Sequence, residues 1–174
     1  LSTIYDLLRL NKAVQRAHRE KGFVLLHCRS HLTALIGKGM KKTQKTKFLF
    51  DMRGFWADER VEGGIWNLSN PIFKRIYTFF KRQERTFFTQ ADYTISLTFA
   101  GKNLLEKWEW EKWPAPIEVI PCCVDTDLFN PSNIDQQKVL ALRNELQAED
   151  APLLVYVGAI GTWYMCKEML DFFA

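Results

Sequence analysis

One short segment of this sequence concentrates side chains that could bind a polar ligand. Residues 51–60 contain two arginines, three carboxylates and two large aromatic rings. Aromatic rings stack on sugar faces, carboxylates accept hydrogen bonds from hydroxyl groups, and arginine binds phosphate oxygens in a forked geometry. The segment therefore predicts a site for a polyhydroxylated or phosphorylated ligand, with the candidates Arg53, Trp56, Asp58 and Glu59. The alternative is a surface loop held by internal salt bridges, in which Asp58 caps the next helix.

A second group of polar residues follows an apolar run over residues 23–28. Ser30 is placed to cap the helix after this run, and the N-terminus of a helix offers N–H groups to an anion. Arg29, beside Ser30, is a candidate ligand-binding cation. His27 lies within the run, where a histidine is more often a hydrogen-bonded core residue than a catalyst.

Short apolar runs alternate with amphipathic stretches along most of the chain. The runs predict strands over residues 23–28, 47–51, 93–97 and 117–120. The amphipathic stretches predict a first helix ending near Gly22 and further helices over residues 30–42, 71–90 and 100–108. Strands that alternate with helices favour an α/β fold with a doubly wound, mostly parallel, Rossmann-like sheet.

This fold class brings the two groups of polar residues together. In an open parallel sheet, ligands bind beyond the carboxyl ends of the strands, at one shared crevice. Arg29 and Ser30 follow the first predicted strand, and residues 53–59 follow the second. We therefore expect both groups at the same edge of the sheet.

The composition of the sequence changes beyond Asn130, where polar residues predominate. A polar helical stretch over residues 132–150 precedes a fresh apolar run over 152–158 and a glycine-containing turn. A strand, a glycine-containing turn and a helix start are typical of the opening of a nucleotide-binding domain. We predict a first domain over residues 1–130, a connection over 131–150, and the first βα unit of a second Rossmann-like domain over 151–174.

Composition excludes several classes of protein. The chain has 174 residues, of which 47% are hydrophobic and 25% charged, as in ordinary globular proteins rather than disordered or fibrous ones. Its longest apolar runs are too short for a membrane-spanning helix. The four cysteines form no C-x-x-C spacing, which favours reduced thiols in a cytosolic protein. Asp125 and Asp127 form a D-x-D pair that we interpret as a turn or cap, and no metal site is expected.

Positive charge is concentrated in two places. The net charge is +4, and the basic residues cluster over residues 38–47 and along the helix predicted at 71–90. Such patches attract the phosphates of nucleic acid, nucleotides or anionic lipid bilayers. The basic amphipathic helix could lie on an anionic membrane, or its apolar stripe could pack on the sheet while its charges stay solvated.

Several stretches, in this order, resemble glycosyltransferase family 4, retaining enzymes of the two-domain GT-B fold. The stretch Val-Ile-Pro-Cys-Cys-Val-Asp-Thr-Asp-Leu-Phe-Asn-Pro at 119–131 is similar to the I-P-x-G-V-D-x-x-x-F-x-P element between the two domains of that family. The other matching parts are residues 50–59, Glu84 with Ala91 and Asp92, and residues 156–164. The resemblance covers about residues 20–174. It implies the latter part of the acceptor domain and the start of the donor domain, so the chain alone is expected to show no transfer activity.

The resemblance implies transfer of a sugar from a nucleotide-diphosphate donor to a glycan or lipid-linked acceptor, with retention of configuration, in cell-envelope polysaccharide or glycolipid assembly. The nucleotide sugar is a substrate, and no cofactor is expected. The implied catalytic residues are Arg29, Asp58 and Glu59, and the implied acceptor-binding residues are Ser30, Arg53 and Trp56. Gly158, Gly161 and Thr162 are the implied contacts of the donor nucleotide. The implied location is cytoplasmic, with peripheral contact at the inner face of the cell membrane, and nucleic acid is not expected as a partner.

Two other functions fit the same sequence. One is a basic module that binds an anionic membrane or nucleic acid without catalysis. The other is a sugar-nucleotide epimerase of the same two-domain fold. Charge reversals on the basic patches would abolish the function of the first, and product analysis with and without an acceptor would identify the second.

Overall fold

A computed structural model describes residues 2–160 and 164–174 of the chain. These residues divide into two compact units at Pro121 and Cys122. The helices and strands, in chain order, are α1 (Ser2–Lys21), β1 (Leu25–Arg29), α2 (Ser30–Gln44), β2 (Lys47–Met52), α3 (Trp56–Glu62), α4 (Pro71–Gln90), β3 (Tyr93–Ser96), α5 (Phe99–Glu106), β4 (Ile117–Val119), α6 (Gln136–Glu145) and α7 (Cys166–Phe173).

The first unit is built on a parallel sheet with the strand order β1-β2-β3-β4. Residues of neighbouring strands lie level across the sheet, so that Cys28 pairs with Phe50 and Phe50 with Thr94. Each connection between consecutive strands contains at least one helix. The predicted α/β class is confirmed, and the parallel sheet is consistent with a Rossmann-like fold.

The core of the first unit lies on one face of this sheet. Side chains alternate between the two faces of a strand, and the buried positions of β2 and β3 are the alternate residues Phe48, Phe50, Met52, Thr94 and Ser96, with Asp51 as the exception. Apolar residues of the helices complete the same cluster, including Ala34 on α2, Phe87 and Phe88 on α4, and Leu105 on α5. The helices that contact the strands therefore form one layer.

The opposite face of the sheet is less well covered. Leu25 and Tyr93 are exposed there, and Leu49 and Ile95 are only half-buried. A doubly wound sheet carries helices on both faces, whereas the described helices that contact the strands share one core. Among the described residues, helices cover one face of the sheet, whereas the predicted doubly wound arrangement has helices on both faces.

The longest helix of the core begins as its sequence predicts. Asn70 precedes α4 and its side chain accepts a hydrogen bond from the backbone N–H of Ile72 at 2.9 Å, while Pro71 occupies the first helical position. Both features are typical of helix starts. The N–H groups of the first turn have no carbonyl partner within the helix, so the Asn70 side chain satisfies one of them and Pro71 has no N–H to leave unpaired. Among residues 2–160 and 164–174, none of the helices combines the length and the apolar character that crossing a bilayer requires.

Helix α2 packs unusually close to the sheet at Gly37. A Cβ at this position would collide with Cys28 Sγ and would lie 2.7 Å from the Phe48 ring. Only glycine fits this approach without a shift of the helix or the strand. Cys28 is consequently enclosed between α2 and β1.

This enclosure makes a testable difference between the thiols. Burial raises the pKa of the Cys28 thiol to about 11, although a backbone hydrogen bond from Gly37 opposes the rise. Cys122 and Cys123 are exposed, and neither is in a disulfide. Because the thiolate is the reactive form, we expect a thiol reagent at pH 8 to modify Cys122 and Cys123 within minutes and Cys28 only after unfolding. Mass spectrometry of the peptides would check this, and rapid modification of Cys28 in the folded protein would contradict the packing.

The second unit, from Cys122 to Ala174, contains α6, α7 and a short 3₁₀ turn at Pro131–Asn133. Asp135 caps α6 by accepting hydrogen bonds from the N–H groups of Gln137 and Lys138. The strand predicted over residues 152–158 is wrong for the described structure, in which this segment is not assigned to a strand. A strand requires ladder hydrogen bonds to a neighbouring strand, and the described part of this unit has no other strand to supply them.

Candidate functional site

Parallel register places the predicted site residues of β1 and β2 at one edge of the sheet. Arg29 ends β1 level with Asp51, and Met52 at the end of β2 is level with Ser96 on β3. Arg53 follows Met52 directly. The expectation that the residues after β1 and those after β2 leave the sheet at the same edge is confirmed.

An open pocket of about 380 Å³ lies at this edge, between the ends of β2 and β3. The loop after β2 and the start of α3 form one wall, and the end of β3 with the first turns of α5 forms the other. The pocket is lined by Met52, Arg53, Gly54, Phe55, Glu59, Ser96, Leu97, Thr98, Ala100, Gly101 and Leu104. It contains one cation, one carboxylate and two hydroxyls beside apolar side chains.

Local backbone structure determines where these polar groups lie. The Glu59 carboxylate occupies the space that a Cβ at position 54 would need, so Gly54 lets it fold over the loop. Thr98 caps α5, its Oγ1 accepting a hydrogen bond from the Gly101 N–H at 3.0 Å. Ser96 Oγ donates to the Thr98 carbonyl at 3.0 Å. Three polar side chains of the pocket are thus fixed locally: Glu59 by its contact with Gly54, Thr98 as the cap of α5, and Ser96 by its hydrogen bond to the Thr98 carbonyl.

Asp58 lies outside this pocket, in an ion-paired cluster with α4. Its Oδ1 accepts a hydrogen bond from Tyr77 OH at 2.8 Å, and its Oδ2 lies 2.7 Å from Lys81 Nζ. Lys81 Nζ also lies 2.6 Å from Glu84 Oε1. Asp58 is therefore engaged with α4. The alternative of an internally salt-bridged loop is also not what the structure shows, because the partners of Asp58 lie on α4 and Asp58 is a residue of α3 rather than its cap.

The same cluster continues into the core through a buried hydrogen bond. Glu84 Oε2 lies 2.9 Å from His31 Nε2, and both side chains are almost fully buried. Burial would lower the pKa of Lys81, but its hydrogen bonds to Asp58 and Glu84 and their charges raise that pKa overall. Lys81 consequently stays protonated at neutral pH. We name Asp58, Tyr77, Lys81, Glu84 and His31 the charged cluster.

Trp56 begins α3 but does not line the pocket between β2 and β3. Its ring stacks on His31, with centroids 6.0 Å apart, and meets Phe80 edge-on at 4.6 Å. The Arg60 guanidinium lies over the same ring, 4.5 Å from its centroid. Trp56 thus joins the core to a separate apolar groove between helices.

Arg29 and Ser30 occupy the turn between β1 and α2. Ser30 adopts a left-handed backbone conformation, with φ at 73°, and is the first residue of α2. The capping position falls on Arg29, which makes no side-chain capping bond. The prediction that Ser30 caps α2 is therefore wrong, because the sharp turn out of β1 shifts the helix start by one residue.

His27 differs from a core histidine. Its side chain is 54% exposed, and its Nε2 lies 3.0 Å from Asp51 Oδ2. The two residues project from the less well covered face of the sheet, by the alternation of β1 and β2. Asp51 is therefore bound to His27 rather than placed in the pocket with Glu59.

The predicted donor-nucleotide contacts lie in the second unit. Gly158 is exposed, and a Cβ there would lie 2.7 Å from Tyr156 OH, which itself donates a hydrogen bond to the Ala159 carbonyl. Gly161 and Thr162 lie outside the described residues. Asp125 accepts hydrogen bonds from the N–H groups of Asp127 and Leu128, which confirms the interpretation of the D-x-D pair as a turn. In the part of the chain that the structure describes, no three His, Cys, Asp or Glu side chains are grouped to hold a metal ion.

The charged cluster was not predicted as a unit, yet the sequence carries a signal for it. Glu84 lies four residues after Phe80 and three before Phe87, on the apolar stripe of α4. A carboxylate on a buried stripe requires a buried partner, and Lys81 is within reach three residues earlier. The pocket residues Ser96 and Thr98 have a weaker signal, since hydroxyls are common at strand ends and helix caps.

Comparison with known proteins finds no family model that matches the chain and no significantly similar curated protein.

Proposed function

We propose that this chain is the acceptor-side part of a retaining glycosyltransferase, with the beginning of the donor-binding part after it. In this proposal residues 1–130 belong to the N-terminal domain of a GT-B fold, and residues 151–174 open the donor-binding domain. A nucleotide-diphosphate sugar is the donor, and a glycan or lipid-linked sugar is the acceptor. The enzyme would act in the cytoplasm at the inner face of the cell membrane.

The observation that supports the proposal is the pocket at the carboxyl ends of β2 and β3. Arg53, Glu59, Ser96 and Thr98 line it beside apolar side chains. A sugar has polar hydroxyl groups at its edge and weakly polar ring faces. A site that binds it therefore needs both hydrogen-bonding groups and apolar side chains. A carboxylate accepts from hydroxyls and an arginine donates to their oxygens. The pocket offers this combination at the place where parallel α/β sheets bind ligands.

In the proposed mechanism the chain's own residues orient the acceptor. Glu59 accepts a hydrogen bond from one acceptor hydroxyl, and Arg53 donates to a neighbouring oxygen or to a phosphate. Holding the acceptor hydroxyl close to the donor carbon raises the rate of sugar transfer, because a bimolecular step becomes an effectively unimolecular one. Asp58 contacts Tyr77 and Lys81, so its proposed role is that of a positioning residue that holds α3 against α4. Arg29 and Ser30 would contact the substrate from the neighbouring turn.

The proposal predicts sugar binding by the chain itself. We expect saturation-transfer NMR to detect millimolar binding of at least one of maltotriose, chitotriose and N-acetyllactosamine. Loss of one charged hydrogen bond weakens binding by about tenfold or more, so we expect this reduction in Glu59→Gln and Arg53→Gln. Glu62→Gln is the matched control, because Glu62 is exposed on the same helix and outside the pocket. Absence of binding to all three sugars, or equal binding by Glu59→Gln and Glu62→Gln, would contradict the proposed acceptor site.

The rival functions give different outcomes. A basic binding module without catalysis would lose its function when exposed cations such as Lys42 and Arg82 are reversed and would be unaffected by Glu59→Gln. Lys81 and Lys41 are unsuitable for this test, because Lys81 belongs to the charged cluster and Lys41 pairs with Asp92 at 2.8 Å. An epimerase would convert a nucleotide sugar to its epimer without any acceptor.

A further inference from the structure

A second concave surface lies among the helices, away from the sheet edge. This groove has a volume of about 750 Å³, within the range of about 300–1,000 Å³ typical of ligand pockets. Helices α1, α2, α3 and α4 each contribute to its lining, with Trp66 from the loop before α4. The apolar part includes Ile4, Leu7, Leu35, Trp56, Trp66 and Phe80. We call it the helical groove.

Two arginines are the cationic groups of the helical groove. Arg60 lies over the rings of Trp56 and Trp66, and its Nε is buried without a hydrogen-bond partner among the described residues. Arg75, on α4, also lines the groove. Within the described structure, neither guanidinium forms a salt bridge with a carboxylate. None of the described lining residues is acidic, so the groove suits an apolar chain that carries an anionic group.

The surroundings of the groove indicate where such a ligand comes from. Arg75 and Phe79 also line an adjoining open surface of α4 that carries Lys74 and Arg82. Apolar side chains next to these cations are exposed, Ile72 at 67% on α4 and Ile4 at 64% on α1. A dissolved amphiphile would leave such side chains in water, whereas a bilayer would bury them. Exposed apolar residues flanked by cations are typical of protein surfaces that lie on anionic membranes.

We infer that the helical groove takes one acyl chain of an anionic bilayer lipid, whose phosphate lies between Arg60 and Arg75. The adjoining surface of α4 then rests on the headgroups, with Lys74 and Arg82 facing neighbouring anionic lipids. A second copy of the chain is a poorer occupant, because two such basic surfaces repel each other. The inference does not depend on sugar transfer, since the lipid site and the pocket of Arg53 and Glu59 have no lining residue in common.

Vesicles provide the direct test. The 174-residue chain is mixed with vesicles of phosphatidylcholine alone or with phosphatidylglycerol added, and bound protein is separated by flotation. We expect binding to the anionic vesicles, little binding to the neutral ones, and a fall in binding as salt rises. Phosphatidylglycerol with brominated acyl chains should quench tryptophan fluorescence, because Trp56 and Trp66 line the groove. The quenching should decrease in Trp66→Phe.

Matched variants separate the groove from general attraction between charges. A basic residue near the surface of an anionic membrane strengthens binding by about fivefold, so Arg75→Glu should weaken binding by at least this factor. Lys42→Glu makes the same change of charge at an exposed lysine outside the groove and should change binding by less than about twofold, since distant charges are screened. Ile4→Asp should weaken binding by about tenfold. Leu140→Asp, at a similarly exposed residue of the second unit, should not.

The remaining outcomes overturn the inference. Equal binding to neutral and anionic vesicles, or equal effects of Arg75→Glu and Lys42→Glu, would remove the phosphate site. Vesicle binding without quenching by brominated chains would show a surface contact in which no chain enters the groove. Quenching by a dissolved brominated fatty acid, without vesicle binding, would identify a soluble ligand instead. If inorganic phosphate alone displaced the protein from the vesicles, the groove would hold an anion site that does not need the acyl chain of a lipid.

Discussion

Glu84→Ala is expected to destabilise the first unit by about 3–5 kcal/mol, because it removes the fully buried carboxylate that pairs with Lys81 and leaves Nε2 of the buried His31 without its hydrogen-bond partner. Glu84 is fully buried and contacts both His31 and Lys81. Urea unfolding followed by tryptophan fluorescence would measure the loss, since five of the six tryptophans lie before Cys122. Glu84→Gln keeps the shape of the side chain and one acceptor oxygen, and should lose less.

Glu106→Ala is the control for this prediction. Glu106 forms an exposed helical ion pair with Lys102 at 4.0 Å, and exposed pairs of this kind contribute about 0.5 kcal/mol or less. The same substitution at the surface and in the core should therefore differ by several-fold in its effect. A loss below about 1 kcal/mol for Glu84→Ala would mean that the charged cluster does not stabilise the packing of α2 against α4.

Phe50→Ala is expected to cost about 3–5 kcal/mol, the range for deleting a buried aromatic ring. Phe50 is fully buried at the centre of the core. Its ring centroid lies 5.3 Å from those of Phe87 and Phe88 and 5.4 Å from that of His31. Its removal leaves a cavity between β2 and α4 that these rings cannot fill without moving. The same urea experiment would measure the loss, and hydrogen exchange of β2 amides would show whether the sheet loosens.

Two further variants make this prediction decisive. Phe99→Ala removes the same side chain where it is 72% exposed and should stay within about 0.5 kcal/mol of the parent chain. Phe50→Leu keeps most of the buried volume and should lose less than Phe50→Ala, so it provides a folded variant if the alanine chain does not fold. Similar losses for Phe50→Ala and Phe99→Ala would contradict the assignment of the core to this face of the sheet.

Local patterns predicted α4 more accurately than any other element. The limits of α4 agree with the predicted helix, and the sheet strands agree within a few residues. Asn70 and Pro71 mark a helix start through interactions within a few residues, and the apolar spacing that follows depends only on helix geometry. Ser30 was misplaced because its backbone conformation depends on how β1 meets α2, which involves both elements.

The roles of individual side chains were predicted less well than the elements that carry them. Asp58 and Glu59 are neighbours in sequence, but one contacts α4 and the other lines the pocket, because helix α3 directs consecutive side chains about 100° apart. Trp56, predicted to bind the acceptor, lies outside the pocket of Arg53 and Glu59 and packs on His31 and Phe80. Lys81 belonged to a basic patch in the sequence and is enclosed by acids in the fold.

In the first unit, the sequence by itself determined the four strands, the helices α1, α2, α4 and α5, the parallel α/β class and the common edge at which β1 and β2 end. These features follow from periodicity, turn residues and the direction of parallel strands, which need no knowledge of distant contacts. Tertiary structure alone decided that His31, Lys81 and Glu84 form one cluster and that four helices enclose a groove. Such contacts join residues far apart in the chain, and burial determines which charges must pair, so only the packed molecule reveals them.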